Sequence, residues 1–286
     1  MDRLETRELA YFVAVAEELH FGRAASRLGI AQPPLSRAVK QLERRLGVTL
    51  LDRGSRGVTL TPAGDVLLNE GRMALAAVAA AGRRAQRAGR GDPRRVLVMK
   101  PGGDGGLLPD ILREYGADPD SIPVDVVCRF ADRARLLRDG QADVGLLHLP
   151  HADVTGLDTE KLLVERQVAV LPRRHRLAGR TSLRMADLSG ETLPRWPDTP
   201  ADGAADGPAV QDAGQLMQLI ALGHTIAVLP ASVEVQLRGD LTAVAVVDAA
   251  PTTVVVAWPE ASRSRPVASF VRAAVAVAGR RPPLDP

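Results

Sequence analysis

The chain has 286 residues, of which 45% are hydrophobic, 25% are charged and only 3% are aromatic. This composition excludes a disordered chain and predicts two globular domains with cores of aliphatic side chains. The single cysteine, Cys128, excludes an internal disulfide. Because no apolar run has membrane-spanning length and no secretory signal is seen, we expect a soluble, cytoplasmic protein without a membrane partner.

The small net charge of +3 is unevenly distributed along the chain. Residues 21–57 carry eight basic side chains against two acidic ones, whereas residues 96–286 carry 20 basic against 24 acidic ones. This asymmetry predicts a polyanionic partner for the first module only. A solvated helix face can carry the same charge, so the prediction depends on the elements beneath it.

Two helices are predicted before residue 30. The first has an apolar face with helical spacing and ends near residues 18–20. That face consists of Leu9, Phe12, Val13 and Ala16. The second covers residues 22–28 and ends at Gly29, where a left-handed C-cap is expected.

A third helix opens at Gln32, with two prolines in a first turn where proline is tolerated. Its apolar stripe consists of Leu35, Ala38, Val39, Leu42 and Leu46. Its other face is polar and basic and consists of Pro33, Ser36, Arg37, Lys40 and Arg44. One face therefore packs on a core and the other is free, as in the recognition helix of a helix-turn-helix.

The period of the pattern changes after Gly47. Residues 48–51 and 58–60 are short β-prone runs around a glycine-punctuated turn, which predicts a hairpin, or wing. Thr61 is a candidate N-cap for a long alanine-rich helix that extends to about Gln86.

Small residues recur along this long helix at heptad-like spacing, at Leu67, Gly71, Ala74, Val78 and Ala81. Such a stripe favours close packing against a second copy, and we predict a dimerisation helix. The alternative is that the helix packs on its own domain. The predicted boundaries are 1–61 for the winged helix-turn-helix, 62–93 for the linker helix and hinge, and 94–286 for a second domain.

The second domain begins with strands at residues 96–99, 124–127 and 143–147, separated by helices at 107–115 and 133–138. This alternation predicts a parallel sheet covered by helices on both faces. Further strands are predicted at 164–171, 210–212, 225–229 and 254–258, and further helices at 214–222 and 269–278. We therefore predict a first lobe at about 94–163 and 255–286, a second at about 164–254, and a cleft between them for a small ligand.

Four segments of the first module resemble the LysR-type transcription regulators. They are FGRAASRL at residues 21–28, AQPPLSRAVKQLE at 31–43, LLDR at 50–53 and TLTPAG at 59–64. The second domain resembles the LysR effector domain, which has the fold of periplasmic binding proteins, at residues 107–109, 139–145, 175–178, 186–188 and 223–230. The resemblance implies an all-α winged helix-turn-helix with a long linker helix, followed by a two-lobed α/β effector domain.

The resemblance also implies a partner and an assembly. The partner is double-stranded promoter DNA with an interrupted inverted repeat, and the assembly is a homodimer through the linker helix that becomes a homotetramer. Two positions depart from the family pattern, because Gly22 stands where Ser or Thr is frequent and Ala31 stands where Ser is frequent. Both are candidate N-caps, and alanine is a poor one.

The chemistry of the third helix assigns its side chains to different parts of a DNA duplex. Arg37 can pair with guanine, Gln32 with adenine, and Pro33 can pack on a thymine methyl group. Ser36 is expected to reach a base or a phosphate, and Lys40 and Arg44 the phosphate backbone. The family resemblance adds Arg53 of the wing, at the position of a minor-groove arginine, and Arg56 is a second wing candidate. Each of these residues could instead only solvate its element or pair locally.

Candidate effector contacts follow the carboxyl ends of strands, where open α/β sheets bind ligands. They are Gly103, Gly105, Cys128, Arg129, Phe130, His148, Arg195 and Trp196. Free N–H groups of the glycine-rich loop at residues 102–106 could hold a carboxylate, although a plain turn has the same sequence and Asp104 opposes an anion. We expect an anionic or aromatic effector, and a mobile loop at 197–208.

Two rival functions are considered. An enzyme would need a recognised motif, and neither the His148 and His151 pair nor Cys128 has the partners that a metal site or a nucleophile requires. We therefore predict no catalytic residue, no metal and no cofactor. The second rival is a constitutive architectural DNA-binding protein whose C-terminal domain only oligomerises.

Overall fold

The computed structural model describes residues 4–54, 57–89, 94–196 and 207–281. The chain divides into two units, one up to Gln86 and one from Arg87 onward. The first unit begins with three helices, α1 (Thr6–Glu18), α2 (Phe21–Leu28) and α3 (Gln32–Leu46). In the ranges that the structure describes, no helix is both long enough and apolar enough to cross a membrane.

The three helices share one core, to which α1 and α3 contribute the faces predicted for them. Leu9, Phe12, Val13 and Ala16 of α1 are all buried. The small side chains of Ala24 and Ala25 let α2 approach this face closely. In α3, Leu35, Val39 and Leu42 are fully buried, whereas Leu46 at the end of the stripe is 39% exposed.

The ends of α2 confirm one predicted cap and correct another. Gly29 has a φ of 66° and closes the helix, and the N–H of Ile30 donates to the carbonyl of Ala25 at 3.0 Å. Gly22 is not the N-cap, because the helix begins at Phe21. His20 takes that place, and its Nδ1 accepts a hydrogen bond from the N–H of Arg23 at 3.1 Å.

The wing consists of two antiparallel strands, β1 (Leu51–Gly54) and β2 (Gly57–Leu60), which pair from Leu51 with Leu60 to Gly54 with Gly57. The first strand begins at Leu51, not at residue 48 as predicted. The reason is that the chain before it bonds elsewhere. The carbonyls of Thr49 and Leu50 accept from Thr61, which lies beyond the end of β2.

The long helix α4 (Pro62–Gly89) follows the wing and ends three residues after the predicted Gln86. The predicted N-cap is present, since the Thr61 hydroxyl accepts a hydrogen bond from the N–H of Gly64 at 3.0 Å. A Cβ on Gly64 would lie 2.1 Å from the carbonyl oxygen of Leu50. Only glycine therefore allows α4 to begin directly against the residue that precedes β1.

The stripe of small residues on α4 is divided between two environments. A Cβ on Gly71 would lie 2.9 Å from Leu9 Cδ1 of α1, and Leu67 is half-buried against the same core. Ala74, Val78 and Ala81 are exposed within the described unit. The first part of the stripe therefore packs on its own domain, which was the alternative, and only the second part is open to a partner.

The second unit is built from two sheets and the helices that cover them. In chain order its regular elements are β3 (Arg95–Met99), α5 (Leu108–Gly116), β4 (Val124–Cys128), α6 (Arg133–Arg138), β5 (Val144–Leu149), β6 (Leu157–Glu165), β7 (Gln167–Pro172), β8 (Ser182–Leu183), α7 (Ala213–Ala221), β9 (Ala227–Pro230), β10 (Leu241–Val246), β11 (Thr252–Pro259) and α8 (Arg265–Arg280). Short 3-10 helices cover Met185–Leu188 and Ala231–Gln236.

The first sheet has the strand order β4-β3-β5-β11-β6. Strands β3, β4 and β5 are parallel, and β11 is antiparallel to both β5 and β6. Helices α5 and α8 share a core on one face, while α6 contributes Leu137 to the core on the other. The predicted helices on both faces are present, but the sheet is mixed, because hydrophobic alternation does not encode strand direction.

The second sheet has the order β8-β10-β7-β9, in which β7 is antiparallel to both of its neighbours. Helix α7 packs on one face through Leu216 and Ile220. Strands β8 and β10 were not predicted. A predicted strand at residues 210–212 is wrong, because only a single bridge joins Arg195 to Ala209, and Asp212 caps α7 by accepting from the N–H of Gln215.

The chain passes between the two sheets twice. The strand predicted at residues 164–171 is two strands, because β6 stays in the first sheet through Glu165 and β7 opens the second sheet at Gln167. The return runs from the end of β10 to Thr252 in β11. The two crossings are joined, since the Gln167 side-chain amide donates to the Thr252 hydroxyl at 2.7 Å, and both residues are buried.

The contact of Gly64 with the wing gives a first prediction. Gly64→Ala should destabilise the first unit by about 1–3 kcal/mol, since the new methyl group overlaps a backbone carbonyl that cannot rotate away. Thermal unfolding of the full chain, followed by circular dichroism, measures the change.

A matched control lies in the same helix. A methyl group on Gly82 would have no neighbour within 4 Å outside its own helix, so Gly82→Ala should stabilise α4 by about 0.5–1 kcal/mol. Equal shifts for the two variants would contradict the packing argument at Gly64.

Candidate nucleic-acid interface and interlobe cleft

The polar face of α3 is an exposed basic surface of the first unit. Gln32, Pro33, Arg37, Lys40 and Arg44 are exposed, and Ser36 is half-buried beside them. Burial of Leu35, Val39 and Leu42 fixes which side of the helix faces outward. The structure therefore places all six predicted α3 contact residues along one face.

Ion pairs separate the basic residues of this unit into two groups. Arg23 contacts Glu18 at 3.3 Å, Arg27 contacts Glu17 at 2.7 Å, and Arg45 is paired with Glu8. These arginines tie helices together. In contrast, within the described ranges no carboxylate lies in ion-pair contact with Arg37, Lys40 or Arg44, so the charge of the exposed α3 face is uncompensated.

Glu43, one of the two acidic residues in the basic segment, is bonded to the backbone at the start of the wing. Its Oε1 accepts hydrogen bonds from the N–H groups of Leu50 at 2.9 Å and Leu51 at 3.1 Å. The carboxylate therefore holds the start of the wing against α3.

The beginning of α3 lacks a side-chain cap. Ala31 occupies the N-cap with extended backbone angles, and no side chain accepts from the first turn. Ala31 is therefore the N-cap residue that was expected, and it provides no side-chain cap. It directly precedes Gln32 and Pro33, two of the predicted contact residues.

Of the two wing arginines, only the backbone of Arg53 lies within the described residues. The backbone of Arg53 pairs with Val58 in the hairpin, but the side chain of Arg53 and all of Arg56 lie outside the described residues. Most of the loop predicted at 197–208 also lies outside them.

A pocket lies between the two lobes of the second unit and contains about 610 Å³ of empty space, part of it open to solvent. Its first-lobe side follows the ends of β3, β4 and β5, and its second-lobe side is formed by α7 and by the end of β9 with the turn after it. The described residues that line it are Lys100, Pro101, Gly102, Gly103, Phe130, His148, Trp196, Ala213, Leu216, Met217, Leu229, Pro230, Ser232, Val233 and Gln236. Most of the surface is apolar, which suits a small organic ligand.

Two contacts join the lobes at the edges of this pocket. The rings of Phe130 and Trp196 stack with centroids 6.0 Å apart and an angle of 13° between their planes. On another edge, a Cβ on Gly102 would lie 2.9 Å from Gln236 Oε1. The cleft is therefore narrow, and each lobe contributes side chains to it.

Lys100 and His148 are the ionisable groups among the described lining residues. Burial, with the charge of Arg133, lowers the pKa of Lys100 to about 8, while Glu165 acts in the opposite direction. Burial, with the charges of Lys100, Arg133 and His151, lowers the pKa of His148 to about 3. At neutral pH the pocket therefore holds one mostly charged lysine and one neutral histidine.

Two family models match the chain. The model described as "Bacterial regulatory helix-turn-helix protein, lysR family" matches residues 6–65, and the one described as "LysR substrate binding domain" matches residues 97–279. The chain belongs to the LysR family. The matches confirm the predicted family and the predicted fold class, with a LysR helix-turn-helix before a two-lobed effector domain.

Among LysR proteins, the chain is similar to the HTH-type transcriptional regulator AlsR of Bacillus subtilis (strain 168). The two are 40% identical over 193 residues, which is 66% of this chain and 63% of AlsR. Full-length BenM is 25% identical with a TM-score of 0.53, covering 96% of this chain and 97% of BenM. Full-length CbnR in complex with its target DNA is 25% identical with a TM-score of 0.52, covering 96% and 100%.

In this LysR effector domain, the structure brings half of the predicted ligand contacts together. Gly103, Phe130, His148 and Trp196 line the cleft pocket. The other four predicted residues are not among its described lining residues. They are Gly105, Cys128, Arg129 and Arg195.

Each of these four has another place in the structure. Gly105 faces Leu163, and its carbonyl accepts from Arg281 at 2.6 Å. Cys128 is exposed at the end of β4, and Arg129 borders a separate surface depression with Asp132. Arg195 Nε donates to the carbonyl of Gly207 at 2.9 Å.

One N–H group of the glycine-rich loop is bonded within the chain. The N–H of Gly103 donates to the carbonyl of Lys100 at 2.9 Å, and Asp104 Oδ2 accepts from the N–H of Leu108 at the start of α5. The N–H of Gly103 is therefore not available to a carboxylate, and the cradle at the other positions of the loop stays a prediction.

Lys100, Ser232 and Gln236 are pocket residues that sequence reasoning missed. The signal for Lys100 was available, since it directly follows β3 and the ends of strands were already expected to carry the ligand site. Within the described ranges, no group of three or more His, Cys, Asp and Glu side chains is placed to hold a metal ion.

The uncapped start of α3 gives a second prediction. Ala31→Ser should change the stability of the first unit by less than about 0.5 kcal/mol, because the N2 and N3 positions that would donate to a cap hydroxyl are Pro33 and Pro34, which have no N–H. Preference among DNA sequences should not change, and thermal unfolding with competition binding measures both.

The same substitution in a helix interior is the control. Ala77 is exposed in the middle of α4, so Ala77→Ser should be neutral or cost up to about 0.5 kcal/mol. Stabilisation by about 1 kcal/mol or more for Ala31→Ser would contradict the argument, since it would require an N–H donor in the first turn of α3.

Proposed function

We propose that this LysR-family chain is a sequence-specific DNA-binding transcription regulator controlled by a small molecule bound between its two effector lobes. The observation that carries the proposal is the uncompensated charge of Arg37, Lys40 and Arg44 on the exposed face of α3. Charge of this kind, in a helix whose other face is buried, suits a helix placed in the major groove.

The proposed contacts follow from side-chain chemistry along that face. Arg37 forms a bidentate pair with a guanine, Gln32 with an adenine, and Pro33 packs on a thymine methyl group. Ser36 contacts a base or a phosphate. Lys40 and Arg44, further along the helix, contact phosphates and position the helix without specifying sequence. Arg53 of the wing enters the minor groove, with Arg56 as a second wing contact.

The proposed assembly places two of these helices on one operator. Ala74, Val78 and Ala81 are small and exposed on α4, which suits close packing against the same helix of a second copy. A two-fold dimer requires an interrupted inverted repeat in the DNA. Two such dimers form the proposed homotetramer, located in the cytoplasm. The similarity to full-length CbnR, whose structure contains its target DNA, supports the choice of partner.

The effector domain is proposed to be a sensor and not an enzyme. Its cleft is mostly apolar with few polar groups, which is the usual construction of a binding site for a small organic molecule. The positive charge of Lys100 and the aromatic rings of Phe130 and Trp196 favour an anionic or aromatic effector. The relatives are named as transcriptional regulators, and no catalytic residue, metal or cofactor is proposed.

Two substitutions on α3 test the DNA-reading assignment. Arg37→Ala should cost about 1–3 kcal/mol of binding on the specific site and relax preference at one base pair. Lys40→Ala should weaken all sequences alike and reduce the slope of log affinity against log salt by about 0.9. Fluorescence anisotropy on the operator and on random duplexes over a range of salt concentrations measures both.

The control is a basic residue outside the proposed interface. Arg113 is 78% exposed in α5 and paired with Asp110, so Arg113→Ala should leave DNA affinity unchanged. Equal losses on specific and random DNA for Arg37→Ala would remove its assignment as a base-reading residue.

Sensing is tested with a broad metabolite panel on the full-length protein. An effector present at about 100 times its Kd should stabilise the protein by about 2.7 kcal/mol and alter the DNA footprint. Gly103→Ala should abolish this response, because its new methyl group would lie 2.7 Å from His148 Cε1 in the cleft. Gly179→Ala, where nothing lies within 4 Å, is the matched control.

If no metabolite changes either the melting temperature or the footprint, the sensing proposal fails. The constitutive architectural function is then favoured.

A further inference from the structure

His148 is an unusual group in the cleft because it is buried and has no internal partner. It extends from β5 with only 4% of its surface exposed. Neither ring nitrogen has a hydrogen-bond partner among the described residues. A buried polar group in this condition is unfavourable for the unliganded fold, and a ligand that supplies the missing hydrogen bond relieves the cost.

Lys100 lies next to this histidine, on the other side of a single glycine. The position of a Cβ on Gly103 is 2.7 Å from His148 Cε1 and 3.0 Å from Lys100 Cβ. Both side chains line the same pocket. A cation and an unpaired hydrogen-bonding ring therefore face the same small region of the cleft.

The two groups differ in what they can bind. At neutral pH the lysine is mostly an ammonium ion, which attracts a carboxylate. The histidine is neutral, so it has one N–H donor and one acceptor nitrogen and prefers an uncharged polar group such as a hydroxyl or a carbonyl. The surroundings are apolar, with Leu216, Met217 and Val233 on the opposite lobe.

We propose that His148 determines the specificity of the cleft, by selecting carboxylates that carry a hydroxyl or carbonyl group close to the carboxylate. Lys100 binds the carboxylate, His148 hydrogen-bonds the second polar group, and the apolar second-lobe residues contact the remainder of the molecule. This inference rests on the proposed function, that is, on the binding of an effector in this cleft.

The charges around the pair define a dependence on pH. Arg133 and His148 face Lys100 together with the carboxylate of Glu165, and Lys100, Arg133 and His151 face His148. A bound carboxylate favours the ammonium form of Lys100 and raises its pKa. Binding should therefore be constant near neutral pH and weaken as the pH rises above about 8, where the free protein loses the proton.

Two matched pairs of acids test the inference on the full-length protein. They are butanoate with 2-hydroxybutanoate, and phenylacetate with mandelate, which is phenylacetate bearing a hydroxyl next to the carboxylate. Isothermal titration calorimetry at neutral pH should show that the hydroxylated member of at least one pair binds about tenfold more tightly than its parent.

Variants assign this selectivity to the two residues. His148→Phe should reduce the ratio within the pair to less than about twofold, because the ring shape remains but the hydrogen bonds are lost, and His148→Gln should restore part of it. Lys100→Met should weaken both members about tenfold or more and preserve their ratio. His224→Phe, at an exposed histidine that does not line the pocket, is the control and should leave both affinities unchanged.

Several results would overturn the inference. They are equal affinities within both pairs for the wild-type chain, a ratio that survives His148→Phe, or affinities that Lys100→Met leaves unchanged. If His148→Phe does not fold, the affinity ratios of the wild-type chain and of His148→Gln still test the inference. An affinity ratio that is the same in His148→Gln as in the wild type contradicts the role of the histidine.

Failure of this inference is distinguishable from failure of the proposed function. If none of the four acids binds but another metabolite of the broad panel shifts the melting temperature, the cleft is a sensor and the assignment to His148 and Lys100 is wrong. If nothing in the panel binds, the sensing proposal and this inference fail together. The DNA-binding proposal is tested separately, by the substitutions on α3.

Discussion

The buried hydrogen bond between Gln167 and Thr252 is the constraint on which the architecture of the effector domain depends. It joins the two places where the chain passes between the sheets, so separating the crossings breaks a hydrogen bond that is shielded from water. The adjacent pairing of Glu165 with Thr252 continues the first sheet up to the same point. Because both lobes are held at this edge, the loops after β3 and β5 face the start of α7 and the turn after β9. The pocket is formed between these segments.

The two proposed sites use uncompensated polar groups in opposite surroundings. On α3, Arg37, Lys40 and Arg44 remain in water, where an unpaired charge costs little and long-range attraction to a polyanion is strong. In the cleft, His148 is unpaired out of water, where the same condition is costly and a short-range hydrogen bond discriminates strongly between ligands. The first arrangement suits a partner found by its charge, and the second suits a small molecule chosen by its functional groups.

The sequence pattern predicted most where a single helix decides the geometry. The two faces of α3, the Thr61 cap and the Gly29 cap all follow from spacing within a few residues, and the structure has each of them. Prediction failed where the outcome depends on distant partners. The strand predicted at residues 164–171 is interrupted by the polar residues Glu165, Arg166 and Gln167, but a polar interruption does not tell that the chain changes sheets at Arg166. Likewise, alternating strands and helices do not reveal that β11 runs antiparallel to β5. Half of the predicted cleft residues were placed elsewhere for the same reason, because position after a strand does not tell which loops face the opposite lobe.

The glycines of α4 connect the proposed dimer to the proposed DNA contact. Gly64 and Gly71 allow the first part of this helix to lie against Leu50 and against α1, so that part is fixed relative to α3 by backbone and core contacts. The exposed small residues come only later, from Ala74 to Ala81. A second copy that packs there therefore sets the distance between the two recognition helices through a rigid helix, with no flexible segment between the dimer contact and α3. In the proposed dimer, the geometry of α4 then determines the distance between the two half-sites. Substitutions at Gly64 or Gly71 that weaken the contacts of α4 would make this distance more variable, even though neither residue is proposed to touch DNA.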